Sequence, residues 1–226
     1  MRSWLRQVGV VAGKDLRVEF RTRERVVAMG AFVVLVALLY NYAVDRTTVH
    51  PRDLAAGLVW ITFLLAGLLG LGRTFELEKE DGALQGLLSA PIPHSAIYMG
   101  KVLANTILLV AVTALTLGVF AFFYQVTLPR NPLPLLGVLL LGVTGFSALG
   151  TLFSGITAGT RMGETLLPVL LFPLLVPLVV FGASATSLLL AGFPAAEVGG
   201  SFRILSAYAL LALTAGVGLF RFIMEE

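Results

Sequence analysis

The residues able to do chemistry are few and unevenly placed. Five charges fall within six consecutive positions, Glu76, Glu78, Lys79, Glu80 and Asp81, in a chain with only 16 Lys and Arg and 13 Asp and Glu. Gly82 follows, and then Leu84, Leu87 and Leu88 recur at helical spacing. The two histidines, His50 and His94, stand apart in polar stretches. A lone imidazole in such a loop is read as solvated, with a metal ligand at His50 as the alternative, and no metal site is assigned. The absence of cysteine excludes a disulfide framework, thiolate zinc sites and cysteine catalysis. No Walker A lysine motif, HExxH or GxSxG occurs. The chain is therefore read as non-catalytic, with no catalytic residue to assign. The acids from Glu76 to Asp81 are read as a contact surface.

The elements that carry these residues are apolar. The chain is 58% hydrophobic and 13% charged, with a mean hydropathy of +0.93, whereas soluble domains carry about 25% charged residues. Its apolar runs reach the roughly 20 residues needed to cross a bilayer. Six spans are expected, at about 26–44, 54–72, 102–124, 132–156, 165–190 and 202–220, within a single domain over 1–226. Residues 1–25 are not a span. Trp4, Leu5, Val8, Val11, Ala12, Leu16 and Phe20 recur on one helical face, and Lys14, Arg17, Arg21 and Arg25 on another. That pattern predicts an amphipathic interfacial helix with its cations toward anionic headgroups. An apolar run that begins only after about 25 residues does not fit a cleaved signal peptide.

Lysine and arginine counts set the orientation. The N-terminus, segment 73–101, the turn at 158–164 and the C-terminus share 12 of the 16 basic residues. Both termini and segment 73–101 are therefore expected in the cytoplasm. The pI of about 9.5 is read as this loop bias, not as nucleic-acid binding. The opposite loops are short. Segment 73–101 reads as a charged shoulder from Phe75 to Asp81, a pivot at Gly82, and a short helix with Leu84, Leu87 and Leu88 as its stripe. Pro91 and Pro93 end it. Such a stripe needs a partner, either lipid or another protein.

Inside the spans almost nothing is charged, which argues against an ion-coupled pump. Asn41, Asn105 and scattered Thr and Ser are read as helix-packing hydrogen bonds, with a substrate contact as the alternative. The fourth span is rich in small residues, Gly137, Gly142, Gly145, Gly150, Ser154, Gly155 and Gly159. They suit close helix packing within one subunit, with a dimer interface as the alternative. Pro168, Pro173 and Pro177 interrupt the fifth span. Each removes a backbone donor, so a kinked helix surrounded by protein is expected, either as a bending element or as a static kink.

Taken together, "FELEKEDGALQGLLSAPIP", "GKVLAN", "LLFPLLVPLVVFGASA" and the opening "KDLRVEFRTRE" resemble one family over nearly the whole chain. The general plan resembles permease subunits of ABC-2-type exporters. The specific stretches resemble CcmB, the haem exporter permease of cytochrome c maturation. The resemblance implies an all-α integral membrane protein with six transmembrane helices, an N-terminal amphipathic interfacial helix and a cytoplasmic coupling helix. It implies that Phe75, Glu76, Glu78, Glu80, Asp81, Gly82, Leu84, Leu87 and Leu88 dock on a separate ATPase subunit, which alone binds ATP. It also implies a haem-handling membrane subunit, a small single-span subunit, a periplasmic haem chaperone, a homodimer and a bacterial inner-membrane location. Haem would be substrate rather than cofactor. Whether haem passes through this chain or ATP energy releases the loaded chaperone stays open. A lipid or drug exporter and a non-transporting assembly scaffold remain alternatives.

Overall fold

The computed structural model describes residues 2–43, 51–75, 78, 86, 90–124, 128–158 and 163–225. These form seven α-helices and one short 3₁₀ turn: α1 (Arg2–Thr22), α2 (Glu24–Ala43), α3 (Pro51–Gly72), α4 (His94–Tyr124), α5 (Leu133–Ala158), α6 (Gly163–Leu190), the turn Ala195–Val198, and α7 (Gly199–Glu225). Among the described residues there is no strand, and six helices are long and apolar enough to cross a membrane. The chain is an all-α integral membrane protein. His50 and Gly159 lie outside the described residues.

α4 departs most from its expected bounds. It starts at His94 rather than near 102 and runs for 31 residues. The carbonyl of Pro93 accepts from the amides of Ala96 (2.8 Å) and Ile97 (3.3 Å), which starts the helix early. At about 1.5 Å per residue its length is roughly 46 Å, well beyond the roughly 30 Å of a hydrocarbon core. The first two turns therefore have length to spare, and α1 packs against them. Val8, Val11 and Ala12 are buried in that contact. It needs Gly100, where a Cβ would sit 2.6 Å from Val11 Cβ. Trp4 Nε1 donates to Ser95 Oγ at 3.2 Å. Leu5, Val10 and Phe20 remain exposed.

α1 and α2 are joined by a single residue. Arg23 has φ 58, in the left-handed region, and its amide donates to the Glu19 carbonyl at 2.7 Å. The helix ends there and the next begins at Glu24.

The bundle is locked by side chains entering glycine sockets. The Trp60 indole lies between Gly142 of α5 and Gly182 of α6, where either Cβ would overlap it. Its Nε1 donates to Thr186 Oγ1 at 2.9 Å. Gly150 receives Leu71, Gly145 receives Tyr208 and Gly137 receives Phe202. The small residues of α5 therefore pack against helices of the same chain. Ser154 Oγ donates to the Leu71 carbonyl (2.6 Å) and Ser147 Oγ to the Val102 carbonyl (2.9 Å), as helix-packing hydrogen bonds should.

α6 corrects one expectation. It is a continuous helix with Pro168, Pro173 and Pro177 inside it. Pro173 and Pro177 face outward, beside exposed Val169, Phe172, Val176 and Val180, and are not enclosed by the rest of the chain. The reason is register. The buried seam is Leu167, Leu171, Leu175 and Leu178. Pro173 and Pro177 each lie two residues past a seam position, about 200° around a helix of 3.6 residues per turn. Tyr208 donates its hydroxyl hydrogen to the Leu174 carbonyl at 2.7 Å, in the turn that Pro177 crowds.

Candidate functional site

The described part of the charged segment is its root, where the chain leaves α3. The Thr74 amide donates to the Leu71 carbonyl at 3.0 Å, turning the chain. Phe75 is thereby directed into the bundle, where it stacks on Phe220 of α7 (centroids 6.1 Å). Tyr98 of α4 lies against the same Phe220 ring (5.4 Å). The Tyr98 hydroxyl donates to the Ala148 carbonyl at 3.0 Å and fills the space left by Gly216. Lys101 Nζ lies over the Phe75 ring, 4.4 Å from its centroid, in cation–π geometry.

Three residues on, Glu78 closes a ring of charges. Its Oε1 accepts from Lys14 Nζ (2.6 Å) and from Lys101 Nζ (2.8 Å). Asp15 meets the same two lysines, Lys14 through Oδ1 (3.0 Å) and Lys101 through Oδ2 (3.2 Å). Two cations and two anions thus alternate around a neutral ring drawn from α1, α4 and the segment root. Lys101 is 1% exposed and Glu78 6%, and buried charges persist only when paired and hydrogen-bonded. Lys101 also donates to the Thr74 carbonyl at 3.0 Å.

The electrostatics follow from this packing. For Glu78, desolvation is the largest single influence and raises the pKa. The charge and hydrogen bond of Lys101, joined by those of Lys14, outweigh it and hold the carboxyl below its ordinary value. For Lys14, desolvation again opposes the charged form. The Glu78 hydrogen bond and the Asp15 and Glu78 charges prevail, so its pKa is raised.

A second polar cluster adjoins the first through Thr74. Glu19, 4% exposed, accepts from Arg25 Nε (2.6 Å) and from the Val26 amide (3.1 Å). It thereby pins the end of α1 to the start of α2. Arg25 Nη1 reaches the Gly70 carbonyl and Asn105 Oδ1, both at 3.4 Å. Asn105 Nδ2 donates to Thr74 Oγ1 (3.2 Å) and Thr151 Oγ1 (2.9 Å). Asn105 is thus the packing residue that its position in a span suggested.

Several expectations change here. Glu78 was expected to face the basic residues of a partner. It turns inward instead, because Lys101 is buried and needs an anion. Lys14 and Arg25 were expected to face lipid headgroups, but both are engaged in ion pairs within the chain. Arg17 and Arg21 are exposed on α1. Phe75 is buried against α4 and α7. Glu76, Glu80, Asp81, Gly82, Leu84, Leu87 and Leu88 lie outside the described residues.

Asp15, Glu19, Thr74 and Lys101 were not anticipated. A signal for three of them was present. Asp15 and Glu19 are the only acids in basic α1, four residues apart on one face, and Lys101 is the only Lys, Arg, Asp or Glu in α4. Among the described residues no cluster of His, Cys, Asp or Glu could hold a metal ion. The arrangement holds α1, α2, α4 and the segment root together.

Comparison with known proteins gives one consistent result. The profile described as "CcmB protein" matches residues 6–222. "Heme exporter protein B" of Rhodobacter capsulatus is 37% identical over 170 residues, 75% of this chain and 78% of the relative. The protein of the same name from Paracoccus denitrificans is 35% identical over 172 residues, 76% of this chain and 78% of the relative. That of Pseudomonas aeruginosa is 32% identical over 206 residues, 91% of this chain and 90% of the relative.

Proposed function

The chain belongs to the CcmB protein family, and on that premise we propose that it is the membrane permease subunit of an ATP-driven haem export complex serving cytochrome c biogenesis. It sits in the bacterial inner membrane with both termini in the cytoplasm, as the basic-residue bias supports. Haem is its substrate class, and ATP is bound by a separate ATPase subunit. Segment 73–101 is the docking element, with Leu84, Leu87 and Leu88 in a groove of that ATPase and Glu76, Glu80 and Asp81 toward its basic residues. A haem-handling membrane subunit, a small single-span subunit and a periplasmic haem chaperone complete the assembly, in which this chain forms a homodimer. Its role is energy coupling, in which ATP hydrolysis drives release of the haem-loaded chaperone.

The observation that carries this reading is the anchored root of the docking segment. Phe75 and Glu78 join the segment to α1, α4 and α7 by an aromatic stack and a ring of alternating charges. A segment that only linked two spans would not need a neutralised quartet at its base, with Lys101 and Glu78 buried in it. Affinity capture of the chain from membranes should bring down a P-loop ATPase, and Leu84→Asp should abolish that capture. Deletion of the gene should remove c-type cytochromes. Capture without any ATPase, or normal c-type cytochromes after deletion, would refute the proposal.

A further inference from the structure

We infer that the Lys14–Glu78–Lys101–Asp15 ring makes the N-terminal helix a moving part of the export cycle, with Asp15 as the positioning residue that passes motion of the cytoplasmic segment to α1 and onward to α2. The inference rests on the reading of segment 73–101 as the element an ATPase moves.

Three observations support it. First, the contacts of the ring are redundant. Each carboxylate touches both lysines, Glu78 through Oε1 and Asp15 through its two oxygens. Withdrawal of Glu78 with its segment would leave Lys101 facing Asp15. A docking site can thus bias one contact without stranding a buried charge, which suits an element that couples two sites. Second, α1 joins a narrow apolar contact to directional polar links. Val8, Val11 and Ala12 are buried, whereas Leu5, Val10 and Phe20 are exposed, and Lys14, Asp15 and Glu19 tie the helix to the segment root, α4 and α2. Third, α1 reaches α2 through Arg23 alone, and Glu19 clamps that elbow by Arg25 Nε at 2.6 Å and the Val26 amide at 3.1 Å. Movement of α1 must bear on the first span.

The test uses the intact complex of this chain with its captured ATPase, comparing wild type, Asp15→Asn and Asp15→Glu. Four quantities are read: ATPase capture, ATP hydrolysis, holo-cytochrome c yield, and amide hydrogen exchange of residues 2–22 with and without ATP. In wild type, ATP should change the exchange of residues 2–22. Asp15→Asn should leave capture and hydrolysis unaltered, abolish the ATP-dependent exchange change, and lower holo-cytochrome c yield about ten-fold, an ordinary coupling between sites. Asp15→Glu keeps the charge and should restore most of the yield. Exchange in wild type that is indifferent to ATP would overturn the inference. So would full yield from Asp15→Asn, or loss of ATPase capture in that variant, which would mark a structural role. A wild-type chain that captures no ATPase sinks the proposed function instead, a result the exchange readout does not share.

Discussion

The charge ring makes a prediction in which the sign of one substitution depends on two others. Asp15→Asn and Glu78→Gln each keep an oxygen that accepts from lysine but remove the charge. An amide oxygen still accepts from the charged ammonium, so each link stays charge-assisted on the lysine side and loses about 1 kcal/mol of the roughly 1.5–3 kcal/mol such a bond contributes. The Lys14 links count for less, because that side chain is 47% exposed and solvent screens it. Each single variant should then lose about 1–2 kcal/mol. Each also retains one carboxylate against Lys101. The double variant does not. Lys101, 1% exposed, is left with the Thr74 carbonyl, the Phe75 ring and neutral amides. A buried charge stripped of its partner costs about 3–5 kcal/mol, so the pair should be worse than the sum of singles by about 1 kcal/mol. Adding Lys101→Met to the double variant removes the orphaned charge and should recover stability, whereas Lys101→Met alone should destabilise. Unfolding of the purified chain in detergent, followed by tryptophan fluorescence, reads all of these. Additivity within about 0.5 kcal/mol, or a triple variant weaker than the double, would refute the reasoning.

Other consequences follow from the same geometry. Gly182→Ala places a Cβ against the Trp60 indole and should cost about 1–3 kcal/mol by overpacking. Gly118→Ala meets open space and should be neutral or stabilise by up to about 1 kcal/mol, with thermal melts separating the two. The depressed Glu78 pKa contributes stability that is whole above the ordinary carboxylate value of 4.5 and is lost as pH falls through its lower folded value. The raised Lys14 pKa contributes stability that is whole below 10.5 and is lost as pH rises through its higher folded value. Stability should therefore be level between those limits, with an acid-side decline that Glu78→Gln diminishes in a pH series of melts. Glu19→Gln weakens the grip on Arg25 Nε and the Val26 amide. It should cost about 1–3 kcal/mol and raise hydrogen exchange at the α1–α2 elbow; unchanged exchange there would count against the clamp.

The spans were legible because bilayer thickness imposes a length that composition alone reveals. Their ends were less so: α4 begins at His94 because of the Pro93 carbonyl, a local contact that hydropathy does not register. The small residues of the fourth span were legible as packing residues, but their occupants were not. Nothing about Gly142 names Trp60, which lies 82 positions away by subtraction. The prolines of α6 announced lost hydrogen bonds, yet which side they face depends on the leucine seam that α3 and α5 select. The acids of 76–81 marked the segment as special, and Glu78 looked like its neighbours.

By itself, the sequence determined that this chain crosses a membrane, has a basic amphipathic helix before its first span, and carries a charged segment between its second and third spans. These follow from hydropathy, periodicity and charge count, which are properties of contiguous residues. Only the tertiary structure decided that Glu78 belongs to the interior, that Lys14 and Arg25 are ion-paired within the chain, and that Asp15 and Lys101 complete one ring. Those outcomes depend on which charges are brought together and deprived of water. A buried ammonium such as that of Lys101 requires anions from wherever the fold can supply them, here from residues 86 and 23 positions away in the chain.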